Sequence, residues 1–220
     1  MMLTVIAATG NAHKLKEFDE IFRQQGLQAE VISAAEFSEA YGVAFEMPEE
    51  TGSTFEENAV LKAEALYPAV IGIFGRRRPF AVIADDSGLA VRALNGAPGV
   101  YSARYASEPG CKNASDAQNT EKLLRVMAQI PEARRDAEFV CSMAAVTNQG
   151  VLLKTEGRLP GKITFAPKGK NGFGYDPILF IESYQMTVAE MDPELKNQIS
   201  HRGKALRELG ERLHGIFAEM

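Results

Sequence analysis

Two adjacent carboxylates, Asp85 and Asp86, end the short apolar run Phe80-Ala81-Val82-Ile83-Ala84 and are followed by Ser87 and Gly88. A run of this length, rich in β-branched and small apolar residues, reads as a buried strand. Acids at the end of such a strand are costly unless a metal ion or a reacting group compensates them. Side chains alternate along a strand, so the two acids point to opposite sides unless the chain turns at once. One of them then faces a given site. With no Cys or His cluster nearby, the hard oxygen ligands suit Mg²⁺ better than zinc. The plainer alternative is an Asx-type turn with a buried, hydrogen-bonded Asp.

Four other stretches carry polar chemistry. Thr9-Gly10-Asn11-Ala12-His13-Lys14 lies where the first strand gives way to the first helix. A helix N-terminus offers N–H groups to an anion, but His13, Lys14 and Lys16 oppose the macrodipole there. A bound phosphate would remove that conflict; a solvated basic turn is the other reading. The hexapeptide is not a Walker A loop. Glu49 and Glu50 precede Thr54, which has Glu57 three residues on, the spacing of a capping box. Asn58 and Lys62 share one face of that helix, either exposed to solvent or forming a wall of a polar site. Lys168 to Pro177 is rich in glycine, but in the reverse order of a dinucleotide fingerprint. Its Phe173 and Tyr175 can offer aromatic faces to a base, or fold back onto the core. Lastly, Lys196 precedes Ser200-His201-Arg202-Gly203, which again puts cations in a first helical turn, and Arg202 brings a planar fork of donors.

Positioning these residues requires alternating strands and helices. Strands are expected over 3–8, 28–33, 80–84, 89–94, 137–147, 150–158 and 178–181, with Asp85 to Gly88 as a turn. Helices are expected over 12–25, from Thr54 to just before Pro68, over 115–128, after Asp192-Pro193, and over 200–217. The acidic segment 34–50 reads as loop. Asn148-Gln149-Gly150 reads as a hairpin turn. The class is α/β with a mixed sheet.

The 220 residues suffice for one domain, in one or two lobes. A net charge of -5 argues against nucleic-acid binding driven by phosphate attraction. Cys111 and Cys141 read as reduced thiols rather than a disulfide framework. No apolar run approaches the roughly 18 residues of a membrane span, and the opening residues do not form a signal peptide. The cytoplasm is the expected location. The triple Arg76-Arg77-Arg78 reads as a solvated turn.

These residues also form ordered blocks: Thr9 to Lys14, Glu50 to Ala59, Ala84 to Leu89, Pro98 to Tyr105, Gly172 to Pro177 and Ile199 to Ala205. In this order the chain resembles the inosine/xanthosine triphosphate pyrophosphatases. The resemblance implies an elongated two-lobed α/β fold with a central mixed sheet flanked by helices and the active site in the cleft between the lobes, in a homodimer. It implies Mg²⁺-dependent hydrolysis of purine nucleoside triphosphates (ITP, dITP and XTP) to monophosphate and pyrophosphate. By motif position, Thr9, Gly10, Asn11, Ala12, His13 and Lys14 would contact the triphosphate. Asp86 would be the proton acceptor and a metal ligand, with Glu50 as the second metal carboxylate. Ser87 would touch substrate. Phe173, Gly174, Tyr175 and Asp176 would line the nucleoside pocket, and Lys196, His201 and Arg202 would complete the base and phosphate contacts. A donor from His201 or Arg202 aimed at the 6-oxo group would reject adenine. Asp85 is left a supporting role. The rivals are a nucleotide sensor that binds without cutting and an RNA-binding module.

Overall fold

The computed structural model describes residues 2–107 and 113–218; Cys111 lies outside them. Among the described residues, seven strands form one mixed sheet in the order β2-β1-β3-β4-β5-β6-β7. They are β1 (Leu3–Ala7), β2 (Ala29–Ser33), β3 (Phe80–Val91), β4 (Asp136–Thr147), β5 (Leu152–Ile163), β6 (Leu179–Ile181) and β7 (Met186–Thr187). The helices are α1 (Ala12–Gln24), α2 (Ala34–Tyr41), α3 (Phe55–Phe74), α4 (Asp116–Val126), α5 (Pro193–Ile199) and α6 (His201–Phe217). β1 runs parallel to both β2 and β3, whereas β6 is antiparallel to β5 and β7. Among the described residues no helix is long and apolar enough to cross a membrane.

The chain divides into two compact units. The first comprises residues 1–86, 141–157 and 202–220; the second comprises 87–140 and 158–201. In the first unit, apolar residues alternate along the strands and build a core on each face of the sheet. Val5, Ala7, Ala81 and Ile83 face α1 and α6 through Phe18, Phe22, Leu206 and Leu209. Ile6, Phe80, Val82 and Ala84 face α2 and α3 through Phe37, Ala59, Ala63 and Leu66. The second unit has its own core, with Leu89, Phe139, Leu159 and Ile178 around Leu123 of α4.

Several expectations are corrected. Residues 34–41 are helical, not loop: Ser33 and Glu36 form a complete capping box, Phe37 is buried, and Gly42 ends the helix in the left-handed region. Helix α3 does not stop before Pro68 but runs to Phe74. Pro68 and Glu64 are both exposed, so the carbonyl that loses its helical N–H partner faces water, while Leu66 and Val70 hold the buried side. Asp85 to Gly88 is not a turn; β3 passes through it as a continuous twelve-residue strand. Strand β5 also runs past its expected end at 158, through Pro160 and Gly161, to Ile163. Of the arginine triplet, Arg78 stacks on Phe74 at 3.7 Å and donates to Thr4 Oγ1 and Tyr41 Oη.

Candidate active site

Because β3 does not turn, alternation separates the two acids. Asp85 continues the parity of Ala81 and Ile83 and emerges on the α1–α6 side. Asp86 continues that of Val82 and Ala84 and emerges on the α3 side.

Asp85 is buried among cations. Its carboxylate accepts from Lys14 Nζ at 2.9–3.0 Å and lies 3.5 Å from Arg202 Nε. Burial alone would raise its pKa, but Lys14, Arg202 and Lys62 outweigh burial and hold the carboxyl well below the usual carboxylate range. Arg202 is buried too. Its Nη1 donates to Glu17 Oε2 at 2.7 Å, and Asp85 with Glu17 raises its pKa against the effect of burial. The guanidinium expected to meet a base is therefore turned toward Glu17 and Asp85 in the first unit. No sequence signal pointed to Glu17.

Asp86 has other company. Asn58 Nδ2 donates to its Oδ2 at 2.9 Å, and Lys62 Nζ lies 3.7 Å from its Oδ1. Lys62 also donates to Glu50 Oε1 at 2.8 Å. Burial raises the pKa of Asp86; Lys62 and Asn58 offset part of this, and the negative charges of Glu50 and Asp85 add to it. Burial works to discharge Lys62, but Asp86, Asp85 and Glu50 together hold its pKa above the ordinary value. The polar face of α3 is thus a buried wall rather than a solvated stripe. Asn58 is fully buried and Lys62 is 5% exposed.

Glu50 and Asp86 converge on one ammonium group, so the place is built for positive charge. Among the described residues no group of three or more His, Cys, Asp or Glu side chains gathers as a metal cage. Two hard carboxylates nonetheless fit Mg²⁺, which is commonly held by one or two carboxylates together with waters and substrate phosphates.

The corner from Thr9 to Lys14 is open. Asn11 N–H donates to Thr9 Oγ1, Lys14 N–H donates to Asn11 Oδ1, and among the described residues Gly10 has no neighbour within 4 Å of where a Cβ would stand. The side chains of Ala12 and His13 lie outside the described residues. Ser87, half-buried, begins the second unit.

In the second unit the loop 172–176 is held from both sides. Lys196 Nζ pairs with Asp176 Oδ2 at 2.8 Å and sits 4.5 Å from the centroid of the Phe173 ring. Asp176 also accepts from the Phe173 N–H, and Asp116 of α4 accepts from the Gly174 N–H. Gly172 has φ +78, and a Cβ there would run into Asp176 Oδ2. The two aromatics differ. Phe173 is 44% exposed, whereas Tyr175 is buried and its hydroxyl donates to the Ser102 carbonyl. His201 stacks on Phe139, with centroids 4.9 Å apart. Of the expected residues, Lys14, Glu50, Asp86 and Arg202 fall in an acid–cation cluster of the first unit, and Phe173 to Asp176 with Lys196 form an aromatic–cation loop in the second; Thr9 to Asn11 form the corner, and Ser87 and His201 are placed in neither cluster.

The whole chain also has relatives. The Ham1 family model matches residues 5–212. The dITP/XTP pyrophosphatase of Geobacillus kaustophilus is 46% identical over 215 residues, covering 98% of this chain and 96% of that protein. The dITP/XTP pyrophosphatase of Clostridium perfringens is 43% identical over 216 residues, covering 98% and 100%. The structure of a HAM1 protein from Coxiella burnetii aligns with a TM-score of 0.82 at 41% identity, over 97% of this chain and all of that one. Matched along nearly its whole length in both sequence and fold, this chain belongs to the Ham1 family.

Proposed function

We propose that this chain hydrolyses non-standard purine nucleoside triphosphates, namely ITP, dITP and XTP, to the monophosphate and pyrophosphate, with Mg²⁺ as cofactor. One observation carries the reading: Asp86 is a buried carboxylate of raised pKa, held by Asn58 and set beside Lys62 and its partner Glu50. That is the environment of a proton acceptor rather than a structural acid, and it stands in a chain whose relatives are named for this hydrolysis.

The residues divide the work. Water attacks the phosphorus at the α–β link, and Asp86 takes its proton. The bond to the leaving pyrophosphate breaks with its electron pair on the departing oxygen. Lys14 and the first N–H groups of α1 stabilise that charge. Held by Glu50 and Asp86, Mg²⁺ would neutralise phosphate charge and make bound water more acidic. Thr9 to His13 complete the phosphate grip and Ser87 touches substrate. In the second unit Phe173 offers its exposed face to the base, Gly174, Tyr175 and Asp176 shape the pocket, and Lys196 and His201 supply donors. The same proposal includes a homodimer located in the cytoplasm.

The test is a panel of ITP, dITP, XTP, ATP and GTP, with and without Mg²⁺, reading released pyrophosphate. Release is expected from the first three and only with the metal. Asp86→Asn should abolish turnover while nucleotide binding survives, since positioned proton transfer is worth about 10²–10⁴-fold. Binding of ITP without release would favour the sensor, and near-wild-type turnover of Asp86→Asn would remove Asp86 from its role.

A further inference from the structure

The amide of Asn58 is fully buried between two polar groups. Its Oδ1 accepts from the Gly52 N–H at 2.8 Å, and its Nδ2 donates to Asp86 Oδ2 at 2.9 Å. A backbone N–H can only donate, so Gly52 determines which end of the amide is oxygen. The other end must then be the NH₂, and it must face Asp86. The approach of Gly52 is tight: a Cβ there would stand 2.7 Å from both Asn58 Oδ1 and Glu57 Cβ. This glycine thus lets the loop that carries Glu50 close onto the helix that carries Asn58 and Lys62.

The two oxygens of Asp86 are consequently unlike. Oδ2 is bound to the amide, while Oδ1 is the oxygen turned toward Lys62, which in turn holds Glu50. We infer that Asn58 is the positioning residue of this site: it anchors Asp86 by Oδ2, presents Oδ1 as the working oxygen, and ties that orientation to the Glu50 loop through Gly52. The inference rests on the function proposed above. A carboxylate free to rotate would spend much of its time with neither oxygen aimed, and the loss would fall on the chemical step rather than on nucleotide affinity.

Two variants separate positioning from mere support. Asn58→Asp keeps the shape and the Gly52 bond but replaces the donor to Asp86 with a second carboxylate; Asn58→Leu keeps the branched outline at a larger volume and loses both. Each is compared with wild type for pyrophosphate release from ITP with Mg²⁺, for ITP affinity in EDTA, and for thermal melting. Asn58→Leu is also titrated with Mn²⁺ in the absence of nucleotide, read by electron paramagnetic resonance. Residues that orient such ligands typically cost about 10–100-fold in activity or metal affinity. The expected result is a kcat lower by at least about tenfold in both variants, with KM and ITP affinity within about threefold of wild type. Mn²⁺ affinity of Asn58→Leu should fall by about tenfold. A folded Asn58→Asp with the kcat of wild type, or a loss carried entirely by KM and ITP affinity, would overturn the inference. If Asn58→Leu does not fold, Asn58→Asp decides. A wild type that releases no pyrophosphate would sink the functional reading alone, because the Mn²⁺ titration still tests Asn58.

Discussion

Neutralising Asp85 and Asp86 one at a time should move stability in different directions, although the residues are adjacent in one strand. Asp85→Asn keeps the shape but removes the carboxylate shared by Lys14 and Arg202. Breaking a buried ion pair from one side costs about 3–5 kcal/mol, since it leaves the partner charge uncompensated. Here the lower end applies. Arg202 keeps Glu17 at 2.7 Å, and the side chain of Lys14 is 20% exposed, so water can serve it. A loss of about 3 kcal/mol in a chain of this size lowers Tm by about 6–12 °C. Asp86→Asn is expected to leave Tm unchanged or to raise it, because the folded protein already disfavours the charge on Asp86.

The pH dependence follows from the same two directions. The pKa of Asp85 is lowered on folding, so its contribution is fully present above the ordinary aspartate value of about 4 and is lost as pH falls through its lower folded value. The pKa of Asp86 is raised on folding, so its charge costs stability increasingly as pH rises from about 4 through its higher folded value. The gap in Tm between the two variants should therefore be full at pH 7 and narrow in acid. Melting curves of both variants and wild type, followed by circular dichroism from pH 2 to 8, measure it. Equal losses at pH 7, or a larger loss for Asp86→Asn, would refute the assignment of Asp85 as structural anchor and Asp86 as the strained, working acid.

Removing Lys196 should loosen the base loop: Lys196→Ala loses an ion pair to Asp176 and a cation over Phe173. A cation–π contact and its partner together are worth about 1–2 kcal/mol, so KM for ITP should rise by about tenfold with a smaller change in kcat. Gly172→Ala should act in the same direction, because φ +78 and the overlap with Asp176 both oppose a side chain; an unchanged KM would count against the role of this loop. Arg135 is buried and donates to the carbonyls of Met127, Ile130, Ile163 and Thr164. Leaving buried carbonyls unsatisfied costs about 1–3 kcal/mol each, so Arg135→Met should lower Tm by at least about 6 °C while KM for ITP at 25 °C stays the same.

What the sequence revealed was local. The box Thr54-x-x-Glu57 and the cap Asp192-Pro193 are complete within a few residues, and both begin helices where expected. Ser33-x-x-Glu36 is the same device, but it opens an acidic segment that reads as loop, and only the burial of Phe37 against the sheet makes the helix worth forming. Pro68 and the Asp85–Gly88 segment misled for the opposite reason: each carries a local breaking signal that packing on both sides overrides. In the site, alternation alone separated Asp85 from Asp86, because it needs only the strand. The partners could not be read, since Lys14 meets Asp85 across 71 residues, Asn58 meets Asp86 across 28, and Arg202 meets Glu17 across 185.

Those long-range partners change one step of the reasoning about phosphate. Lys14 and Arg202 each stand in the first turn of a helix, α1 or α6, where the macrodipole disfavours cations. Taken locally, each conflict asks for an anion from outside. In the folded chain the protein's own anions answer both: Asp85 lies beside Lys14 and Arg202, and Glu17 also pairs with Arg202. The basic turns alone are therefore no longer evidence of phosphate. What distinguishes the two cations is access: Arg202 is sealed at 4% exposure, whereas the ammonium arm of Lys14 reaches solvent beside the open Thr9–Asn11 corner. Asp85 holds the Lys14 ammonium in place, so on the proposed function an arriving phosphate would meet a cation already ordered. The same carboxylate holds Arg202 as internal structure. On the proposed function, Asp85 thus anchors the cation that would meet phosphate on one side of β3, while Asp86, one residue on, would serve the chemistry on the other.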